Sequence, residues 1–138
     1  MYQDELKIRV RYGETDKMGQ VYYGYYSLYY EQSRTEAIRK LGSTYKELED
    51  SGILMPVTRM EVKFIKPASY DDMLTVKTTV PELPHKNIEF HHEIVNGEGD
   101  LINKAVIQLL FLSADKKKVV IIPDDLLNKL KPYFSNEQ

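Results

Sequence analysis

The sequence contains no cysteine and only three histidines. The absence of cysteine excludes disulfide bonds, thiolate nucleophiles and cysteine-ligated metal sites. His91 and His92 are adjacent on a predicted strand, where neighbouring side chains point to opposite faces, so they cannot chelate one metal ion together. We predict that His92 is a hydrogen-bonded core residue and His91 a surface residue. The sequence therefore predicts no metal site, and no cofactor is expected.

Several sequence signatures of common protein classes are also missing. There is no G-x-G-x-x-G, no G-x-x-x-x-G-K-[ST] and no G-x-S-x-G, which disfavours a dinucleotide-binding protein, a P-loop protein and a serine hydrolase. The longest apolar runs, such as residues 119–123, are far too short to cross a bilayer, which takes roughly 20 residues. The first five residues are acidic and polar, unlike a secretory signal. We predict a cytoplasmic protein without membrane insertion.

The charge and size of the chain narrow the possibilities further. A formal net charge of -2 and a pI near 5.9 give no general attraction to polyanions, so no nucleic-acid partner is expected. The chain has 138 residues, of which 42% are hydrophobic and 29% charged, a composition typical of globular proteins. A second domain would have too few residues for its own core. We predict a single domain over residues 1–138.

The hydrophobic pattern predicts an α+β protein with one long helix against one face of an antiparallel sheet. Leu6 to Tyr12 alternate between apolar and basic residues, which predicts a first strand, and a glycine-containing loop follows to Gly24. A long helix is predicted over residues 23–41, and a short one over residues 43–50 with Ser43 as its N-cap. The remaining predicted elements are strands over residues 53–65, 73–80, 87–95, 101–112 and 118–122, and a helix over residues 123–133.

The loop before the long helix carries the chemistry that the sequence permits. Asp16 lies close to a predicted helix start, where backbone N–H groups are unpaired and the helix dipole is positive. Such amides can polarise a carbonyl oxygen as an oxyanion hole does. One carboxylate with these amides is sufficient for acyl transfer to water. The alternative is that Thr15 and Asp16 only cap a turn.

Two sequence blocks point to a known family. The first is RVRYGETDKMGQVYYGYY at residues 9–26, with Glu31 and Arg34 further along the helix, and the second is PASYDDML at residues 67–74. Together they resemble the 4-hydroxybenzoyl-CoA thioesterase family of hotdog enzymes, and the order of elements matches over nearly the whole chain. The resemblance implies a hotdog fold, in which an antiparallel β-sheet wraps around a long central α-helix. It also implies hydrolysis of an acyl-CoA thioester to the free acid and CoA.

The resemblance also assigns roles to particular residues. It implies that Asp16 acts as nucleophile or general base, and that the backbone N–H of Tyr23 polarises the thioester carbonyl. It implies that basic residues in the turn at residues 83–87, here His85 and Lys86, bind the CoA phosphates, although an ordinary strand connection remains an equal alternative. The predicted substrate-binding residues are Gly19, Val21, Gly24, Tyr26, Tyr30, His85 and Lys86.

Two other functions remain open from the sequence. A hydroxyacyl thioester dehydratase of the same fold needs a histidine near the helix start, and this chain has none before His85. A non-catalytic acyl-CoA-binding protein would keep the pocket without needing Asp16. An apolar sheet face and open edges also predict a homodimer or homotetramer with a continuous sheet and active sites at subunit interfaces.

Overall fold

A computed structural model describes residues 1–135. Its main sheet has five antiparallel strands in the order β1-β4-β5-β6-β3, and a separate two-stranded sheet pairs β2 with β7. Single 3-10 turns lie at Tyr12–Glu14 and Lys131–Tyr133. The strands are β1 (Tyr2–Arg9), β2 (Ile53–Leu54), β3 (Val57–Phe64), β4 (Met73–Val80), β5 (Asn87–Val95), β6 (Leu101–Leu110) and β7 (Leu112–Ser113), and the helices are α1 (Tyr25–Lys40), α2 (Tyr45–Asp50) and α3 (Asp124–Leu130).

The core lies between α1 and one face of the main sheet. Alternate residues of β4 and β5 are buried on that face, as the period of two predicts. Helix α1 contacts β1 and β4, and its buried face is formed by Tyr26, Tyr29, Tyr30, Ser33, Arg34, Ala37 and Ile38. Gly42 follows the helix with a φ of 95°, a left-handed conformation that glycine adopts at low cost. The predicted antiparallel sheet and long helix are confirmed.

The first strand differs from the prediction. It begins at Tyr2 and ends at Arg9, pairing with β4 along its whole length. The predicted extension to Tyr12 is wrong, because the Val10 N–H donates to the Asp72 carbonyl outside the ladder and Tyr12 begins a 3-10 turn. The sequence did not show the start of the strand because a charged residue, Asp4, occupies the largely buried position between Tyr2 and Leu6, where its carboxylate pairs with Lys40 of α1.

Three other boundaries are also corrected. The predicted strand over residues 53–65 is interrupted at Pro56, which separates β2 from β3. Residues 118–122 form only an isolated bridge between Val119 and Leu112. Helix α2 is capped by Thr44 and not by Ser43, because the Thr44 hydroxyl accepts a hydrogen bond from the Glu47 N–H at 3.0 Å, the usual interaction of an N-cap.

The two edges of the main sheet differ in how much apolar side-chain surface they expose. The β1 edge carries charged side chains, and Lys40 of α1 donates to the carboxylate of Asp4 and to the carbonyl of Glu5. The β3 edge also carries Arg59, Glu61 and Lys63, but large apolar side chains are exposed between them, with Met60 41% and Phe64 58% exposed. Apolar exposure along a strand edge marks a surface suited to pairing with another chain.

A chain of polar side chains crosses the core beneath α1. The Ser33 and Thr78 hydroxyls lie 2.6 Å apart, and Thr78 Oγ1 lies 3.0 Å from Nδ1 of His92. The phenol of Tyr30 donates to Asn103 Oδ1, and its ring stacks on His92 at 4.7 Å between centroids. His92 is buried as predicted, but its Nε2 atom has no hydrogen-bond partner among the described residues. His91 lies at the surface beside Glu89, as predicted.

The burial of His92 predicts a stability that depends on pH. Burial, with a smaller contribution from the charge of the nearby Arg34, lowers the pKa of His92 from 6.5 to about 3. Between these values the unfolded chain binds a proton that the native state does not bind. We therefore expect the free energy of unfolding to fall as the pH drops below the unfolded pKa of 6.5. The contribution of this residue is at most about 1.4 kcal/mol per pH unit.

Urea unfolding at pH 7, 6, 5 and 4 measures this effect. The control is His92→Gln, which removes the titrating group and should flatten the dependence on pH over this range. An equally steep loss of stability in the variant would show that other groups cause it.

Candidate active site

Asp16 lies in a closed turn that orients its carboxylate. Oδ1 accepts hydrogen bonds from the N–H groups of Met18 at 2.8 Å and Gln20 at 3.2 Å. The Asp16 N–H donates to the Gln20 carbonyl at 2.7 Å, and the Gly19 N–H donates to the Asp16 carbonyl at 3.0 Å. Gly19 has a φ of 75°, which favours glycine. Oδ2 has no hydrogen-bond partner within residues 1–135, so one carboxylate oxygen is available to a substrate.

The turn is attached to the second sequence block. The Val21 N–H donates to the Ala68 carbonyl at 2.8 Å, and the Tyr70 N–H donates to the Gly19 carbonyl at 2.8 Å. Gln20 and Ser69 form an isolated bridge. Residues 19–21 therefore pair with residues 68–70, which explains in structural terms why the two blocks occur together.

Glu14 anchors the start of the same loop. Its side chain is buried and accepts hydrogen bonds from the Arg11 N–H at 2.9 Å, from Arg11 Nε at 3.3 Å and from the Tyr29 phenol at 2.9 Å. The Glu14 carbonyl accepts from the Tyr22 N–H at 2.9 Å. Burial and the contact with Glu14 raise the pKa of Tyr29, so its phenol remains a donor. Glu14 therefore joins the loop to α1, a role that the sequence did not reveal.

The start of α1 offers a free backbone donor. Gly24 occupies the N-cap position, and the Tyr25 N–H already donates to the Tyr22 carbonyl at 2.8 Å. The Tyr23 N–H donates to no acceptor in the part of the chain that the structure describes. The Tyr23 ring is 67% exposed and packs on Tyr22. A Cβ at Gly24 would lie 3.0 Å from the Tyr22 ring, so a side chain there would crowd this turn.

Asp16 lines an open cleft of about 530 Å³ together with Tyr12, Gly13, Thr15 and Lys17. Tyr12 is 79% exposed, and its ring contacts Tyr70 edge to face at 5.8 Å. A carboxylate beside exposed aromatic rings suits a substrate that has both a reactive polar group and an apolar part.

The other predicted substrate-binding residues lie in different surroundings. Val21 is buried in the loop, and the buried Tyr26 accepts a hydrogen bond from the Ala68 N–H at 3.3 Å, so both belong to the framework around Asp16. Tyr30 is fully buried against His92 and Asn103. A role for Tyr26 and Tyr30 in lining an acyl pocket stays a prediction.

His85 and Lys86 lie in the turn between β4 and β5. They line a cavity of about 440 Å³ that shares no lining residue with the Asp16 cleft. The His85 carbonyl accepts a hydrogen bond from the Ile122 N–H, and the Lys86 carbonyl accepts one from the Phe111 N–H. The structure of one chain therefore does not bring them to Asp16, and their role in binding CoA stays a prediction.

Residues 1–135 contain no cluster of three or more histidine, aspartate or glutamate side chains arranged to hold a metal ion. Over the same described residues, no helix has the length and apolarity needed to cross a membrane.

Known proteins share both the sequence and the fold. The acyl-CoA thioester hydrolase YbgC of Escherichia coli is 31% identical over 124 residues, which cover 90% of this chain and 92% of that protein. The putative acyl-CoA thioesterase YneP of Bacillus subtilis is 34% identical over 105 residues, covering 76% of each chain. The structure of DHNA-CoA thioesterase from Staphylococcus aureus superposes with a TM-score of 0.88 at 32% identity, covering 99% of this chain and 95% of that one.

A family match covers the loop that contains Asp16, helix α1 and most of the sheet. The model of the thioesterase-like superfamily matches residues 10–130, which include all but the first residue of the first sequence block, the whole second block and Asp16. This match confirms the resemblance that those blocks indicate. The chain belongs to the thioesterase-like superfamily.

Proposed function

We propose that this protein hydrolyses acyl-CoA thioesters to the free acid and CoA. The observation that carries the proposal is the free Oδ2 atom of Asp16, held by a closed turn in the loop that leads into α1. The activity named for the relatives from Escherichia coli and Bacillus subtilis supports the same reaction.

Asp16 supplies the reacting oxygen or the base in this reaction. As a nucleophile, its carboxylate attacks the thioester carbon, the carbon–sulfur bond breaks, CoA leaves as the thiolate, and water then hydrolyses the mixed anhydride. As a general base, it takes a proton from water while that water attacks the same carbon. In both routes negative charge develops on the carbonyl oxygen, and the free Tyr23 N–H is the donor we assign to it.

The direct test is the release of CoA from a panel of acyl-CoA substrates, followed with a thiol reagent. Hydrolysis of one or more substrates supports the proposal. Binding without release would indicate a non-catalytic acyl-CoA-binding protein. Loss of water from a 3-hydroxyacyl-CoA would indicate a dehydratase, although Tyr23 stands at the helix start and the nearest histidine in sequence is His85.

We further propose that the sheet curves around α1 as in the hotdog fold and that two chains pair along β3. The apolar side chains exposed on that edge, including Met60 and Phe64, support this choice over the charged β1 edge. In such a homodimer, or in a homotetramer made from two of them, the turn with His85 and Lys86 of one subunit would bind CoA at the Asp16 site of the other. A cytoplasmic location also remains part of the proposal.

The pairing predicts a particle of at least twice the mass of the chain at micromolar concentration, measured by light scattering. Replacing Met60 by lysine should shift the particle toward the monomer, because Met60 lies near the middle of β3 and pairing would bury the new charge. The matched control is Lys7→Ala on the opposite edge, which should leave the mass unchanged. A monomeric wild-type protein would contradict the proposed assembly.

A further inference from the structure

Arg34 is a largely buried charge without an ion-pair partner among the described residues. The residue is only 6% exposed, and its Nη1 atom has no hydrogen-bond partner. No carboxylate of residues 1–135 lies within ion-pair distance of its guanidinium group. Buried charges in proteins are normally paired, because removal from water is costly for an isolated ion. No described residue therefore supplies an anion to the guanidinium group of Arg34.

Arg34 also lines a cavity between α1 and α2. The cavity measures about 290 Å³, and Tyr45 of α2 lines it together with Arg34. The Tyr45 hydroxyl is also buried without a hydrogen-bond partner. Burial raises the pKa of Tyr45 to about 12, so the phenol is a hydrogen-bond donor at neutral pH. The cavity thus contains two kinds of polar donor that interact with each other, and neither meets an anionic acceptor within the described residues.

The rest of the lining restricts the kind of anion. Four lining side chains are apolar, which suits a ligand with a hydrocarbon body: Leu48, Ile53, Met55 and Leu109. Glu31 and Glu49 line the same cavity, and their charges disfavour a dianion such as phosphate more than a monoanion. The planar guanidinium group matches a carboxylate in geometry. At roughly 30 Å³ per water, the cavity has space for a ligand of about ten non-hydrogen atoms.

We propose that the cavity between α1 and α2 binds the carboxylate of a small, largely apolar acid, with Arg34 and Tyr45 as the donors. Its lining shares no residue with the cleft at Asp16, so it is a second site on the chain. A carboxylate of this class has two sources. One is a free acid, and the other is an acyl group with a carboxylate at its far end. The second source rests on the proposed thioesterase function, whereas the site itself does not.

Titration calorimetry with the purified full-length chain tests the free acid. The probes are benzoate and 4-methylpentanoate, with benzyl alcohol and 4-methylpentanol as uncharged matches. We expect saturable binding of the acids only. Arg34→Met should weaken that binding at least about tenfold and Tyr45→Phe by several-fold, since each removes a donor to a charged ligand.

Two control variants isolate the site. Arg39→Met removes an arginine that pairs with Glu36 on the exposed side of the same helix, and it should leave acid binding unchanged. Asp16→Asn removes the proposed reaction but leaves this cavity intact, so it should also bind the acids. Circular dichroism and thermal melts establish that each variant is folded. Because Arg34→Met removes an unpaired buried charge, we expect no loss of thermal stability from this change.

The second arm compares glutaryl-CoA with pentanoyl-CoA. If the carboxylate is carried by the acyl group, Arg34→Met lowers kcat/KM for glutaryl-CoA at least about tenfold and leaves pentanoyl-CoA unaffected. Loss of acid binding or loss of this preference in Arg34→Met supports the site. The proposal is overturned if the wild type shows neither property, or if Arg34→Met retains them. It is also overturned if Arg34→Met only dissociates the oligomer, because Arg34 then pairs with a partner subunit.

Discussion

Asp16→Asn is expected to reduce kcat for the best acyl-CoA substrate by at least about 10²- to 10⁴-fold. Asparagine keeps the oxygen that accepts the Met18 and Gln20 N–H groups, so the turn should persist. The change replaces the free Oδ2 by an amide nitrogen, which neither attacks a thioester nor accepts a proton from water. A nucleophilic role would make the loss larger than the general-base range. Steady-state kinetics with CoA release as the readout measure the effect.

Asp72→Asn is the matched control. Asp72 also caps a turn, since its Oδ2 accepts a hydrogen bond from the Ser69 N–H at 2.8 Å, and Ser69 pairs with Gln20 of the Asp16 turn. If Asp16 only caps its turn, the two asparagine variants should behave alike. We expect Asp72→Asn to retain kcat within a few-fold. A folded Asp16→Asn enzyme with nearly normal kcat would exclude the assignment and direct the search to Glu31.

Glu14→Ala is expected to lower the free energy of unfolding by about 3 kcal/mol. The change leaves the Tyr29 phenol and the Arg11 N–H without their acceptor. Hydrogen bonds to a charged group contribute about 1.5–3 kcal/mol each, without full additivity. Glu14→Gln retains one acceptor oxygen, so we expect a smaller loss, about 1 kcal/mol. Urea unfolding at neutral pH measures both variants.

A double-mutant cycle with Tyr29→Phe tests the contact itself. If Glu14 acts through the Tyr29 phenol, the loss in Glu14→Ala/Tyr29→Phe should be smaller than the sum of the two single losses. Additive losses would contradict that coupling. In folded Glu14→Gln we expect kcat to fall much less than in Asp16→Asn, because Glu14 faces the interior of the loop and not the cleft.

The sequence predicted some strands correctly because their alternation is uninterrupted. In β4 and β5 apolar and polar residues alternate along nearly the whole strand, and the predicted bounds are those of the structure. The alternation of apolar and polar residues could not locate the break between β2 and β3, although Pro56 indicated that a strand ends there. The alternation also predicted a strand at residues 118–122, where Val120 and Ile122 pack on the core but Val119 forms only an isolated bridge.

The candidate site was predictable where a local motif defines it. The turn at Asp16 depends on hydrogen bonds between residues close in sequence, so the loop sequence indicates it. The role of Glu14 depends on Tyr29, which is 15 residues away on α1. Arg34 was the missed signal in the pattern itself: it lies four residues after Tyr30 and beside Ser33, on the helix face that the structure buries. A buried arginine is normally paired with an anion.

The unequal edges of the main sheet limit how far the protein can associate. A subunit with two compatible edges would behave as a bifunctional monomer, because head-to-tail pairing of unlike edges yields a fibre unless the rotation closes it into a ring. Here the edge at β1 is charged and partly covered by Lys40, so it acts as a chain terminator. Pairing through β3 uses the same surface on both partners. The β1 edge of each chain then forms one end of the joined sheet, where no further strand can add. We therefore expect growth of the sheet to stop at two chains, even at high protein concentration.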